Sequence, residues 1–106
     1  SVGAIDARGA VASFSNRGRR IDIFAPGEKV LSTWPRGRYR EMNGTSMATA
    51  HVTGVLALAM AARPGMTPDH AKKLIVASRV PLKAGRKSAG GVGRLDAVRV
   101  FRHLKL

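Results

Sequence analysis

Residues 43–54, NGTSMATAHVTG, lie in the longest charge-free part of the chain. From residue 45 to residue 62 there is no Lys, Arg, Asp or Glu, and Ala, Leu, Met and Val recur on every face of a helix. Because a helix that is apolar on all sides is normally buried, this stretch predicts a long buried helix. Ala, Thr, Gly and His outnumber Leu, Ile and Phe in it, so a membrane span is not expected.

Short apolar runs precede this helix, and further helical patterns follow it. Four of these runs, bounded by Gly, Pro, Ser and Asn, are predicted strands: residues 1–6, 21–27, 29–34 and 39–44. The pattern at residues 39–44 is the weakest of the four. Because strands alternate with helices, residues 1–106 are predicted to form a single α/β unit.

The second helix is predicted from its start signal. Thr67 is a candidate N-cap, and Pro68 occupies the first helical position. Lys72 and Lys73 are expected to face solvent, whereas helical spacing turns four other residues inward: Ala71, Leu74, Ile75 and Ser78. A loop at residues 80–91 then leads to a short extended piece and a third helix. The expected inward residues of the third helix are Val98, Phe101 and either Leu104 or Leu106.

Basic residues dominate the charge of the chain. The 106 residues include 19 Lys and Arg against 6 Asp and Glu, a net charge of +13, and no cysteine. The lack of cysteine excludes disulfides, thiolate metal sites and a cysteine nucleophile. The basic residues are scattered, with only Trp34 and Tyr39 near them, so weak, salt-sensitive binding to nucleic acid or acidic proteins, without sequence preference, is expected. A solvated arginine-rich surface, an acidic partner and an acidic missing portion are the alternatives for the origin of the charge.

Ser46 is the candidate catalytic residue of the charge-free stretch. A serine nucleophile needs a neighbouring base to accept its proton and donors aimed at the developing oxyanion. At the start of a helix after Gly44, the backbone N–H of Ser46 is one of the unpaired first-turn donors, where the helix dipole favours negative charge. The alternative is structural, because Ser46 or Thr45 would also serve as an ordinary helix N-cap.

None of the three histidines has a spacing that makes it the base. His51 lies five residues after Ser46, about 140° around a helix, so it is expected to point away and to be hydrogen-bonded in the core. His70 and His103 lie on other predicted helices. With no HExxH motif and few carboxylates, a metal site is not expected.

Residues 44–54, GTSMATAHVTG, resemble the active-site serine signature of the subtilisin-like serine proteases, the subtilases, which is usually Gly-Thr-Ser-Met-Ala-x-Pro-His-Val-x-Gly. Ala50 replaces the usual proline, a departure that concerns helix geometry more than chemistry. The flanks resemble the family too: residues 2–6, 12–18, 22–33 and 91–97. The resemblance covers nearly the whole chain but only the C-terminal portion of the family's catalytic domain.

The resemblance implies the C-terminal part of a parallel-sheet subtilisin-like fold and a serine endopeptidase with Ser46 as the nucleophile of an Asp-His-Ser triad. Subtilases carry these residues in the order Asp, His, Ser, and no Asp or His motif of the family occurs here. Neither Asn16 nor Asn43 matches the oxyanion-hole asparagine of the family. The fragment is therefore expected to be inactive alone, with His51 and Met47 as structural supports.

The resemblance also implies partners and a location. The partners are a peptide or protein substrate and the missing N-terminal part of the catalytic domain. The structural calcium common in the family would bind mostly upstream, so no cofactor is expected in this chain. Secretion or attachment to the cell envelope is the implied location. The alternative function is a non-catalytic basic binding or scaffolding module derived from a subtilase, although the intact GTSMA argues against loss of the triad.

Overall fold

A computed structural model describes residues 1–18, 20–82 and 93–104. The strands are β1 (Val2–Ile5), β2 (Ile23–Pro26), β3 (Val30–Trp34), β4 (Arg38–Met42), β5 (Val80–Pro81) and β6 (Gly93–Arg94). The helices are α1 (Thr45–Ala62), α2 (Pro68–Ala77) and α3 (Ala97–Leu104). One sheet has the order β1-β2-β6-β5 with its first three strands parallel, and β3 and β4 form a separate antiparallel hairpin. The α/β class is confirmed, and the predicted loop at 80–91 lies mostly outside the described residues.

The strands β1 and β2 are the centre of the core. They pair in parallel over their whole length, with Val2 opposite Ile23. The ring of Phe24 lies against Gly3, where an added Cβ would come within 2.3 Å of the ring. Parallel strands covered on both faces carry near-continuous apolar sequence, and the fully or nearly fully buried residues follow this rule: Ala4, Ile5, Ile23, Phe24 and Ala25.

The outer edge of β1 is covered by the chain that follows it. The N–H of Ala4 donates to the hydroxyl of Ser15 at 2.8 Å, and the N–H of Ala12 donates to the carbonyl of Ala4 at 2.9 Å. Ser15 is itself buried. Because an open strand edge is a template for pairing with another chain, these bonds close part of the sheet to such pairing.

The helix α1 packs only one face on the sheet. Its buried residues are Ala48, Val52 and Ala59, whereas Leu58 and Met60 are 58% and 40% exposed. The prediction that this helix is buried on every side is therefore wrong for this chain, because the sheet, α2 and α3 leave its other side bare. Length and apolar composition alone would allow α1 to cross a membrane, so the expectation that it does not stays a prediction.

Gly27, directly after β2, brings the start of α1 against the sheet. Its carbonyl accepts the N–H of Gly44 at 2.7 Å, and its N–H donates to the carbonyl of Ile5 at 3.0 Å. A Cβ at Gly27 would lie 2.6 Å from the Cβ of Ala4, 2.7 Å from the carbonyl oxygen of Gly44 and 3.3 Å from the Cβ of Ala48. Only glycine fits between these atoms, so this position decides where α1 begins.

The second helix follows its prediction. Thr67 is the N-cap, and its hydroxyl accepts the N–H of His70 at 3.2 Å. Lys72 and Lys73 are exposed. All four predicted inward residues face the core. Leu74 is half-buried, and the other three are buried: Ala71, Ile75 and Ser78.

In the third helix, one predicted core residue, Val98, does not lie in the core. Val100 and Leu104 are buried and Phe101 is half-buried, so Leu104 and Phe101 are confirmed. Val98 is 61% exposed, and its assignment to the core is wrong. It lies two residues before Val100, about 200° around the helix and thus on the opposite side. Leu106 lies outside the described residues.

We expect Gly27→Ala to lower the free energy of unfolding by on the order of 1–3 kcal/mol, because the new methyl group overpacks a site with no free volume. Urea denaturation of the 106-residue chain, followed by far-ultraviolet circular dichroism, measures the change.

Gly54→Ala in α1 is the matched control. Nothing lies within 4 Å of a Cβ placed at Gly54, and replacing glycine with alanine in a helix interior stabilises the helix by about 0.5–1 kcal/mol. The two substitutions should therefore move the urea concentration at the midpoint of unfolding in opposite directions. A Gly27→Ala chain as stable as the unmodified one would contradict the close contact described for Gly27.

Candidate active site

Ser46 is the second residue of α1 and its side chain is exposed. The helix N-cap is Gly44, and no side chain caps the helix. The interpretation of Ser46 or Thr45 as an N-cap is therefore wrong, because both residues already lie inside the helix. No described residue is hydrogen-bonded to the Ser46 hydroxyl. The hydroxyl is thus available for chemistry at the positive end of an 18-residue helix.

The first turn of α1 leaves backbone donors beside this hydroxyl. The carbonyl of Gly44 accepts the N–H groups of Met47 and Ala48 at 3.2 and 3.4 Å. The N–H groups of Thr45 and Ser46 precede them and have no acceptor within the helix. A negatively charged oxygen near Ser46 would therefore meet unpaired N–H donors and a favourable dipole.

The segment before Ser46 is held at two points. Besides the bond from Gly44 to Gly27, the side-chain oxygen of Asn43 accepts the N–H of Lys29 at 2.7 Å. Lys29 has a positive φ of 53°, a conformation that non-glycine residues adopt rarely. The turn after β2 thus fixes the backbone on which the serine sits.

A cavity of about 770 Å³ lies between α1 and the β3–β4 hairpin, and Ser46 is part of its wall. Its lining is mostly apolar. The hairpin contributes Val30, Leu31, Ser32, Thr33, Trp34, Arg40 and Met42, and α1 contributes Ser46, Met47, Ala50, His51, Gly54, Val55 and Leu58. Clefts of this size with an apolar wall and few polar groups are the usual form of a ligand site. We refer to it below as the serine cavity.

His51 lines the serine cavity together with Ser46. The predicted angle of about 140° between the two residues around the helix axis had indicated different faces. Both residues nevertheless line the same open space beside the hairpin. The Nδ1 of His51 lies 3.0 Å from the carbonyl oxygen of Met47. Because a carbonyl only accepts, Nδ1 carries the hydrogen in this contact. No hydrogen bond joins the ring to Ser46 among the described residues. His51 is hydrogen-bonded as predicted, but its predicted place in the core is wrong, because it is half-buried and lines the serine cavity together with Ser46.

The other two histidines lie away from the serine cavity. His70 is exposed in the first turn of α2, and the Nδ1 of His103 on α3 lies 2.8 Å from the carbonyl oxygen of Arg99. Within residues 1–18, 20–82 and 93–104, no group of three or more His, Asp and Glu residues could hold a metal ion. The expectation of no cofactor stays a prediction.

The fold of this chain is that of subtilisin-like proteases. A family model described as the subtilase family matches residues 1–96. The chain therefore belongs to the subtilase family, whose members include the serine proteases to which it is similar.

Three of these relatives show how much is shared. The chain is 40% identical over 95 residues to alkaline serine exoprotease A of Vibrio alginolyticus, a match that covers 90% of this chain and 18% of that protein. It is 53% identical over 58 residues to an intracellular serine protease of Paenibacillus polymyxa, covering 55% of this chain and 18% of that one. The structure of patellamide maturation protease PatA superimposes with a TM-score of 0.82 at 37% identity, covering 98% of this chain and 42% of that chain. The chain thus spans less than a fifth of the length of these two curated relatives and less than half of PatA.

Arg40 and Trp34 were not singled out from the sequence as site residues. The guanidinium carbon of Arg40 lies 4.8 Å from the centre of the Trp34 ring, and both residues line the serine cavity. The available signal was strand alternation in residues 38–42, RYREM, which puts Arg38, Arg40 and Met42 on one face. What the sequence did not indicate is that Arg40 and Met42 line a space shared with α1.

We expect Ser46→Ala to change the free energy of unfolding by less than about 0.5 kcal/mol, because the exposed hydroxyl has no structural bond to lose. Thr67→Ala, which removes a true N-cap, should cost about 1 kcal/mol. Thermal and urea unfolding of the two variants measure the difference. If Ser46→Ala costs as much as Thr67→Ala, the hydroxyl has a capping role that the structure does not contain.

Proposed function

We propose that this chain is the serine-bearing C-terminal portion of a subtilase catalytic domain, and that Ser46 is the nucleophile of an Asp-His-Ser triad that cleaves peptide bonds. The observation that carries the proposal is the exposed, unbonded hydroxyl of Ser46 at the start of α1, beside unpaired backbone donors. Membership of the subtilase family supports the reaction class, and a peptide or protein is the substrate that a protease requires.

In the proposed reaction the Ser46 oxygen attacks the carbonyl carbon of the scissile bond while its proton passes to the imidazole of the triad histidine. The carbonyl oxygen becomes an oxyanion that accepts the N–H of Ser46. The C–N bond then breaks, and the imidazole returns its proton to the leaving amine. Water adds to the acyl group by the same proton transfers and releases the acid and the free Ser46 hydroxyl.

The triad histidine and aspartate belong, in this proposal, to a part of the catalytic domain outside these residues. The lengths of the relatives support this, because the chain covers only 18% of the first two described above. The bare side of α1 also supports it, since an apolar helix face of a complete domain is normally covered. His51 then acts as a structural support, through its contact with the carbonyl of Met47.

We further propose that any structural calcium binds in the missing portion. We also propose that part of the +13 charge of the chain faces an acidic partner. The proposed location of the chain is outside the cytoplasm or in the cell envelope. The relatives carry names pointing to different locations, an exoprotease and an intracellular protease. Fractionation of the producing cells followed by detection of this chain tests the location.

A fluorophosphonate probe tests the catalytic role of Ser46. A parent chain or complex that supplies the upstream Asp and His should be labelled covalently at Ser46, because labelling needs the same activated oxygen as hydrolysis. Ser46→Ala should abolish labelling and proteolysis together. His51→Gln should leave labelling in place and mainly lower thermal stability.

Two outcomes would favour the alternative, a non-catalytic binding or scaffolding module suggested by the +13 charge. One is labelling at another serine. The other is proteolysis that Ser46→Ala leaves unchanged. In either case the serine signature would be a structural remnant, and binding rather than turnover would be the property to measure.

The 106-residue chain alone should hydrolyse peptides at no more than a trace rate. This chain contains no identified base. Even in a serine protease whose site is otherwise complete, removal of triad members leaves a residual acceleration of only about 10³–10⁴ over water. A chromogenic peptide assay with the purified chain measures this rate. Turnover within tenfold of a complete subtilase, lost in Ser46→Ala, would show that one of the three histidines of this chain serves as the base.

A further inference from the structure

We propose that Asn43 is a positioning residue for the nucleophile. Its side chain, bonded to the backbone of Lys29, sets the direction in which Ser46 presents its hydroxyl. The inference deepens the proposed function and rests on it, because it concerns the reactivity of Ser46 toward a peptide bond.

Two consecutive residues before α1 are bonded to the segment that follows β2. The N–H of Gly44 donates to the carbonyl of Gly27 at 2.7 Å, and the side-chain oxygen of Asn43 accepts the N–H of Lys29, also at 2.7 Å. A single hydrogen bond fixes a distance but leaves the bonded segments free to turn about it. The bond at Asn43 therefore fixes the orientation of a segment whose position is fixed by Gly44.

Asn43 forms its bond where the hairpin departs from regular pairing. The β3–β4 ladder ends with Val30 opposite Met42. Between this pair and the glycine bond described above, the β4 side has only Asn43, whereas the β3 side has residues 28–29. Two residues opposite one is the count of a β-bulge, a feature found beside active sites, where it redirects a side chain.

The Asn43 side chain holds the strained residue of this bulge. Lys29 has a φ of 53°, a left-handed conformation that costs free energy in a residue other than glycine and persists where its surroundings hold it. Within the described part of the chain, no backbone bond joins Lys29 to Asn43, so the side chain supplies the acceptor that the opposing carbonyl does not. Without this acceptor the N–H of Lys29 is left to water, and the bulge is free to change its shape.

The effect reaches Ser46 through two intervening residues. Gly44 is the N-cap of α1 and Thr45 is its first residue, so a rotation of the segment at Asn43 turns the first helical turn with it. The hydroxyl of Ser46 has no hydrogen bond of its own among the described residues. Its direction therefore depends on the backbone, and a displacement of about 1 Å can lower the rate of a reaction about a hundredfold.

The test uses a parent chain or complex that supplies the upstream Asp and His. A fluorophosphonate probe counts the reactive sites, and a chromogenic peptide measures kcat per labelled site. We expect Asn43→Ala to lower kcat per labelled site about ten- to a hundredfold and to change KM by less than about twofold, because alignment of the nucleophile is lost while substrate binding is not.

Two further substitutions at the same position separate alignment from folding. Asn43→Asp keeps an oxygen at the same place and should recover most of kcat when about 0.15 M salt screens the added charge. Asn43→Gln carries the oxygen one methylene group further and should lower kcat per labelled site as Asn43→Ala does. It makes the same test if Asn43→Ala does not fold.

Asn16→Ala is the matched control, because it removes the same side chain from the connection after β1. Asn16 is exposed, and its side chain forms no hydrogen bond within the part of the chain that the structure describes, so kcat should not change. Hydrogen exchange of the 106-residue chain, followed by NMR, adds a readout independent of activity. Asn43→Ala should speed exchange of the Lys29 N–H about two- to tenfold, and Asn16→Ala should not.

Several outcomes would overturn the role of Asn43 and leave the proposed function intact. They are an unchanged kcat per labelled site in Asn43→Ala or Asn43→Gln, an equal loss in Asn16→Ala, no recovery in Asn43→Asp, and unchanged exchange of the Lys29 N–H. A loss confined to the number of labelled sites would make Asn43 merely structural and would also overturn it. Absence of Ser46 labelling in the unmodified parent overturns the proposed function together with this inference, so the unmodified protein distinguishes the two failures.

Discussion

The contact between Gly27 and Gly44 is the constraint on which the rest of the structure depends. Two backbones meet there at a hydrogen bond of 2.7 Å, with the methyl groups of Ala4 and Ala48 packed around them. No side chain can be inserted without moving the helix off the sheet. Because side chains in a close-packed interior cannot shift independently, this one contact sets the distance between α1 and the parallel strands.

The contact also explains why the serine lies where it does. Gly27 follows the last residue of β2, so the start of α1 is held at the carboxyl ends of the parallel strands. Ligand sites of α/β sheets are found at this edge. The helix direction then points the positive end of α1 at the same place, and Ser46 is carried there by the backbone rather than by contacts of its own.

The features predicted correctly from the sequence are those with local causes. The start of α2 depends on Thr67 and Pro68, which are adjacent, and the ends of α1 follow from the turn before it and from Pro64 and Gly65 after it. The features predicted wrongly depend on distant parts of the chain. Burial of α1 was inferred from its composition alone, which does not reveal whether a covering layer is present. Val98 was misassigned for a different reason, because an eight-residue helix gives few residues from which to determine which side faces inward.

The bare side of α1 couples the stability of this chain to its assembly. Any partner that covers Leu58 and Met60 binds the folded chain and not the unfolded one, and so raises the free energy of unfolding by mass action. In the proposed enzyme that partner is also the source of the base. A serine-bearing chain without its partner would then be both the less stable and the less reactive species. The contact that completes the fold would thus be the same contact that completes the active site.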